Sequence, residues 1–363
     1  MKTKSLGTIA VLLSSLSIVA CSPSQKDPPF AGVMNRQDID VSTVKLDAAD
    51  PLAMMGVDQA WKRSSGKMPD GSRVIVAVVG TGIDYTIPDL RESLWVNANE
   101  IGNAAADNLD NDDNGYPDDV FGFDFFSGDS LPYDWYGHDT FTASVIAATG
   151  RANSKVRGAA PNASIMIARY LGPDGRGNGF DADSALTYAI QNNAKVIYFN
   201  WPQGGFRPTR DGDPTPLIVE DIKIAGKKNI LVVVPAGNSS NQEVPAFLQQ
   251  ISKLDNVLIV GGTTADGRIS KRSNFGKKFV SAAAPVEGAK GFFPGGVVSS
   301  ELTTTSVAAA YAAGAAALYA AMPGLGSAAK IKEAMLKGTM PGRGGEPLDV
   351  LSEGIISVSS LKP

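Results

Sequence analysis

Val74-Ile75-Val76-Ala77-Val78-Val79-Gly80-Thr81-Gly82 is an unbroken apolar run, mostly β-branched, closed by a glycine-bracketed turn. A segment that is apolar at every position, rather than alternately, predicts a strand covered on both faces. Outward from it the theme repeats in Ile165-Met166-Ile167-Ala168, Val196-Ile197-Tyr198-Phe199, Leu231-Val232-Val233-Val234 and Val257-Leu258-Ile259-Val260. Helix-length segments, Asp181 to Asn193, Pro216 to Lys227 and Pro245 to Leu254, lie between several of these runs. The alternation predicts an α/β domain whose mainly parallel central sheet lies between two helical layers. Ligand sites on such sheets lie beyond the carboxyl ends of the strands. Gly80 and Asn238 fall just past strand ends, and His138 and Ser306 each open a helical pattern. No internal repeat is visible.

With 363 residues, 43% of them apolar, the chain can bury a full core, and its length suits one large domain over residues 51–363. Net charge is −4 and no basic cluster stands out, which argues against nucleic acid as a partner. Residues 1–20 have the layout of an export signal. Lys2 and Lys4 precede an apolar stretch, Ile9 to Ala20, that is too short to span a membrane. The segment ends in Ile18-Val19-Ala20-Cys21, which resembles a bacterial lipobox, and Cys21 is the only cysteine. The expectation is a lipid on Cys21 that anchors the protein to a membrane of the bacterial cell envelope, on its periplasmic or surface side. A lone cysteine rules out an intramolecular disulfide. Residues 21–50 are polar, contain Pro28-Pro29 and show no period, as expected of a tether.

The single histidine lies in Gly137-His138-Asp139-Thr140-Phe141-Thr142-Ala143-Ser144. This resembles the Gly-His-Gly-Thr-His-Val-Ala-Gly motif that carries the general base of subtilisin-like serine peptidases, the subtilases. Val76 to Asp84 is similar to the segment in which that family ends a strand with its catalytic aspartate. Thr304-Thr305-Ser306-Val307-Ala308, followed by Gly314-Ala315-Ala316-Ala317-Leu318, is similar to the family's nucleophile segment and its buried helix. The resemblance runs from about Pro51 to Met322 and takes in Gly158-Ala159-Ala160-Pro161, Pro235-Ala236-Gly237-Asn238, Ser273-Asn274-Phe275-Gly276 and Ala283-Ala284-Pro285, in the same order. It implies a subtilisin-like three-layer αβα sandwich and a serine endopeptidase site. Ser306 would be the nucleophile, and a serine hydroxyl needs an adjacent base, for which His138 is the only imidazole available. Asn238 matches the asparagine that stabilises the developing oxyanion.

Several departures weaken the site. Gly80 stands where the resemblance puts the aspartate that fixes the histidine tautomer, and glycine cannot do this. Asp139 is adjacent to His138, but neighbours on a helix do not face each other, so it is expected to be a first-turn acid favoured by the helix dipole. Asp84 and Asp134 match structural positions. Thr304 replaces a glycine beside the nucleophile, and Asn200-Trp201-Pro202 stands where the family has Ser-Leu-Gly, an edge that pairs with substrate backbone. Trp201 adds bulk there and Pro202 removes a backbone donor. The expectation is therefore a catalytically impaired or inactive pseudoprotease that binds a peptide or another envelope protein. The alternative is a serine endopeptidase working with a Ser306/His138 dyad.

Asp110-Asn111-Asp112-Asp113-Asn114-Gly115-Tyr116-Pro117-Asp118 has the opening pattern of an EF-hand-like calcium loop. Asp110, Asp112, Asn114 and Asp118 offer oxygen donors, and Tyr116 a backbone carbonyl. Phe121 occupies the position of the closing glutamate, so Asp119, another residue or water would have to complete a structural calcium site.

Overall fold

The computed structural model describes residues 36–151, 155–202, 206, 210 and 212–361. Its central sheet has seven parallel strands: β1 (Ile75–Gly80), β2 (Gly122–Asp124), β3 (Ser164–Arg169), β4 (Val196–Phe199), β5 (Leu231–Pro235), β6 (Val257–Thr263) and β7 (Ala282–Pro285), in the order β2-β3-β1-β4-β5-β6-β7. A separate antiparallel hairpin pairs β8 (Gly291–Phe293) with β9 (Val297–Ser299). Three short helices, α1 (Pro51–Met54), α2 (Val57–Ala60) and α3 (Pro88–Arg91), lie near the amino-terminal end. The layers are built from α4 (His138–Ala147), α5 (Gly179–Gln191), α6 (Thr215–Lys227), α7 (Ala246–Ile251), α8 (Thr305–Ala320) and α9 (Ala328–Lys337).

The opening run behaves as its composition requires. Val76 and Val78 enter the core shared with α4, α8 and α9, while Ala77 and Val79 enter the one shared with α5, α6 and α7. All four are fully buried. Full burial of a valine, leucine or isoleucine is worth about 1.5–3 kcal/mol, so hydrophobic packing on both faces holds the strand in the middle of the sheet. Helix α8 is buried along its whole length, which explains why its sequence is rich in alanine and shows no polar stripe.

After β1 the chain builds β2 and β3 on one side, then crosses to β4 on the other. Connections leave in opposite directions at the β1–β4 boundary, and a crevice opens outside their carboxyl ends. Gly80 and Asn200 both lie at that crevice.

The segment read as a tether is docked from Arg36 onward, a correction to the sequence expectation. Asp38 pairs with Lys67 at 2.5 Å and with Arg73. The Ile39 N–H donates to Asn162 Oδ1 at 2.7 Å, and Asn162 Nδ2 donates back to the Ile39 carbonyl at 3.0 Å. Arg151 donates to the carbonyls of Gln37 and Asp38. The segment is polar because its partners are polar. Those partners lie where β1 and β3 begin, at the pole opposite the crevice. Among the described residues, no helix is long and apolar enough to cross a membrane.

Candidate active site

Helix α4 starts where Asp134 folds its carboxylate over the helix end. Asp134 Oδ1 accepts from the N–H groups of Tyr136 and Gly137, and Oδ2 from the Thr140 N–H and hydroxyl. These bonds satisfy amides that an α-helix leaves unpaired at its start. Gly137, at φ +93°, makes the turn into the helix, and a Cβ there would meet the Phe293 ring at 2.8 Å. His138 is the first residue of the helix, half-buried at the mouth of the crevice.

His138 Nδ1 lies 2.5 Å from Asp139 Oδ1. This overturns the expectation that Asp139 turns away from its neighbour. The rule for adjacent helical residues assumes side chains radiating from a regular surface. Here both sit on the first turn and bend toward the end of β1, where residue 80 has no side chain. Asp139 is fully buried, and both its oxygens have partners. Oδ2 accepts from the Thr81 N–H at 2.6 Å, while Oδ1 also faces the Thr142 hydroxyl at 3.2 Å and Asn200 Nδ2 at 3.3 Å. The Asp139 N–H donates to Thr81 Oγ1 at 3.0 Å.

Asn200 Nδ2 is also 3.2 Å from His138 Nδ1. An ionised carboxylate only accepts, so the proton on Nδ1 points to Asp139, and the Asn200 amide donates to the carboxylate instead. The Asn200 side chain thus turns inward, away from the edge it was expected to present. Tyr170 donates to its carbonyl at 2.6 Å and fixes its backbone. Burial works against the charged form of His138, but Asp139 and, more weakly, Asp134 outweigh it and raise the imidazole pKa above the ordinary 6.5. Burial and repulsion from Asp139 push Asp134 upward in turn. Asp84 is structural, as expected: it accepts from Thr86 and from the Gly295 N–H of the β8–β9 hairpin.

Ser306 lies in the first turn of α8, largely buried. The Thr305 N–H donates to Asn238 Oδ1 at 2.8 Å, and the Gly237 N–H to Thr305 Oγ1 at 3.1 Å. A backbone N–H can face only an acceptor, so this bond fixes the Asn238 amide with its Nδ2 donor directed elsewhere. Ser306 Oγ and His138 are not hydrogen-bonded to each other among the described residues. Thr304 Oγ1 is buried with no partner. At the docking edge, Trp201 Nε1 donates to the Pro235 carbonyl at 2.9 Å, and its ring tip would lie 3.6 Å from a Cβ on Gly237. The indole therefore bridges the ends of β4 and β5, beside Asn238. Pro202 follows it, half-buried.

The acidic loop assembles differently from its sequence pattern. Asp110 and Asp112 are brought together with Glu100, one oxygen from each lying within 4.8 Å of the others. Asp118 instead accepts from the N–H groups of Asp107 and Asn108. The Asn114 amide donates to Asp119, and the Tyr116 ring packs against Phe123, Phe125 and Tyr188. Asp119, also bound by Asn97 and Tyr188, is occupied by protein donors; burial pushes its pKa up to about 6. Asp112 Oδ1 is buried without a partner, which suits a cation ligand. Hard carboxylate oxygens are the donor type calcium takes, and these three would supply part of its six to eight ligands.

Sequence reasoning missed Asp139 and Glu100. Glu100 precedes the loop pattern and carries no spacing signal. For Asp139 a signal existed: an acid is missing at residue 80, and one is added where the resemblance has glycine. Cys21 lies outside the described residues.

A model described as "Subtilase family" matches residues 71–349. Thermitase of Thermoactinomyces vulgaris is 28% identical over 264 residues, covering 72% of this chain and 78% of that protein. The major intracellular serine protease of Bacillus subtilis (strain 168) is 28% identical over 290 residues, covering 79% and 78% respectively. The crystal structure of a cold-adapted subtilisin-like serine proteinase superposes with a TM-score of 0.56 at 19% identity, covering 84% of this chain and 96% of the other. That likeness bears on the fold.

Proposed function

The chain belongs to the subtilase family, and from that premise we propose that it is an exported, lipid-anchored serine endopeptidase with Ser306 as nucleophile, His138 as general base and Asn238 as oxyanion donor. The observation that carries this reading is the 2.5 Å contact between His138 Nδ1 and the buried Asp139 carboxylate. Inactivity was expected from the missing acid at residue 80, from Thr304 and from the altered docking edge; the Asp139 contact speaks to the first of these and leaves the other two in place. With Nδ1–H directed to Asp139, the other ring nitrogen takes the Ser306 proton as Oγ attacks the peptide carbonyl. Asp139 stabilises the imidazolium that forms. The proton then passes to the leaving amine, and water hydrolyses the acyl-enzyme by the same route. Asn238 Nδ2 supports the oxyanion in both steps, a contribution of about 10²–10³ in kcat.

A second reading, a binding pseudoprotease, is favoured by Trp201. Its indole takes up space beside Asn238, and Pro202 offers no N–H to an extended peptide. Under the enzyme reading the same feature selects substrates with a small residue before the scissile bond. Calcium, where bound, would be held by Glu100, Asp110 and Asp112 and would act by neutralising and rigidifying their loop. Cys21 would carry the lipid, which intact-mass measurement of the native protein checks.

Labelling by a fluorophosphonate probe decides between the readings, because the probe reports an activated serine without needing the right peptide. The expected result is labelling and casein hydrolysis that both vanish in Ser306→Ala. A folded wild-type protein that takes up no probe would leave the pseudoprotease.

A further inference from the structure

We propose that Gly80 and Asp139 form one exchanged pair: Asp139 is the positioning acid for His138, and residue 80 must lack a side chain for it to act. The inference deepens the serine-peptidase reading and rests on it. It places the orienting carboxylate on α4, beside the histidine, rather than at the end of β1.

Geometry makes the two residues mutually dependent. A Cβ built on Gly80 would lie 1.8 Å from Asp139 Oδ2 and 3.0 Å from Asp139 Cγ. Two carbon and oxygen atoms cannot approach so closely, so any side chain at residue 80 evicts the carboxylate. The nearest other atom is Asn200 Cβ at 3.2 Å, a far milder approach. The conflict is thus confined to the end of one side chain, and substitution at residue 80 displaces Asp139 while sparing the backbone. Conversely, the two atoms nearest the space above Gly80 both belong to this carboxylate. The Thr81 N–H, next to Gly80, donates to Oδ2 and aims Oδ1 at the imidazole. Thr142 and Asn200, from α4 and from the end of β4, steady Oδ1 from two further directions.

This arrangement also explains two departures from the family pattern with one cause. Residue 80 is where the resemblance puts the acid, and residue 139 is where it puts a glycine. Here the two residue types have changed places. A carboxylate of similar position is reached from the opposite wall of the crevice.

The chain has one histidine, so His138 can be followed by NMR in the full-length protein without assignment ambiguity. Two readouts suffice: the imidazole titration and the rate of fluorophosphonate labelling of Ser306. Asp139→Asn keeps the shape and removes the charge; it is expected to lower the His138 pKa and slow labelling about 10⁴-fold, the size of a triad-aspartate loss. Gly80→Ala, which adds only a methyl group, should shift the titration in the same direction and slow labelling at least about 100-fold through misplacement of the imidazole. Combining the two should be no worse than Asp139→Asn alone. The reciprocal variant Gly80→Asp with Asp139→Gly should recover at least about tenfold over Asp139→Gly, an outcome a merely structural role for Asp139 would not give. Wild-type titration and labelling in Asp139→Asn would overturn the proposal. A wild-type protein that resists the probe, but whose His138 titration shifts in Asp139→Asn and Gly80→Ala, would uphold the pairing and sink the peptidase reading.

Discussion

Asn238 uses the two ends of one amide for different tasks. Its oxygen accepts from the Thr305 N–H at the start of α8, while under the proposed peptidase reading its nitrogen would serve the oxyanion. Asn238→Asp should separate them, because a carboxylate keeps the acceptor and loses the donor. The expected outcome is a melting temperature close to wild type and a kcat on casein lower by at least about 10². Asn238→Ala removes both and should also cost about 1 kcal/mol of stability, the usual worth of a helix cap. At this scale His138, Ser306 and Asn238 stood out in the sequence as candidates because each sits in a motif whose order survives. Asp139 was not. Reading it required knowing that a missing side chain on β1 leaves room for one on α4, and sequence shows residues rather than the space between them. The metal loop failed similarly: Glu100 joins Asp110 and Asp112 through a fold of the chain that no local spacing records.

Between α5 and α6, two acids meet. Asp221 is nearly buried on α6, with Asp183 of α5 close by and the Thr187 hydroxyl 3.4 Å from its carboxylate. Burial first, then the contact with Asp183, push the Asp221 pKa from 3.8 up to about 7. A carboxyl group whose pKa is higher folded than unfolded binds its proton more tightly in the native state. Its contribution to stability is therefore present at low pH and is lost as pH rises from about 4 to 7. Asp221→Asn should remove this slope and raise the melting temperature at pH 8 relative to wild type, with little change at pH 4. Thermal unfolding at the two pH values checks it. Elements themselves were read well where burial was two-sided. β1, β3, β4, β5 and β6 are continuous apolar runs, and α5, α6 and α7 lie within a few residues of their expected bounds. β2 and β7 escaped as strands. β7 is Ala-Ala-Ala-Pro, a sequence with low strand propensity that is held in place by its pairing with β6.

On the scale of the whole molecule, the acidic loop lies in the chain between the first strand and the helix that carries His138. Three clustered carboxylates repel one another, and Asp112 Oδ1 has no donor to balance it. A cation bound only to the folded state stabilises it by mass action, by about 2.7 kcal/mol at a hundredfold excess over Kd. Chelation should lower the melting temperature, and Asp112→Ala together with Glu100→Ala should abolish that response. An identical melting curve with and without chelator would show that the loop holds no metal.

The docking of residues 36–40 against Lys67, Arg73 and Asn162 would act as a compass for the protein if the proposed lipid anchor is present. With lipid on Cys21, the leash from the bilayer joins the domain at the pole where β1 and β3 begin. Gly80, Asn200 and Asn238, by contrast, lie at the far ends of their strands. Under the proposed anchoring, the crevice would look outward, away from the lipid. Its clientele would be chains arriving through the aqueous space, within a shell set by the leash, and not segments still embedded in the bilayer beneath it.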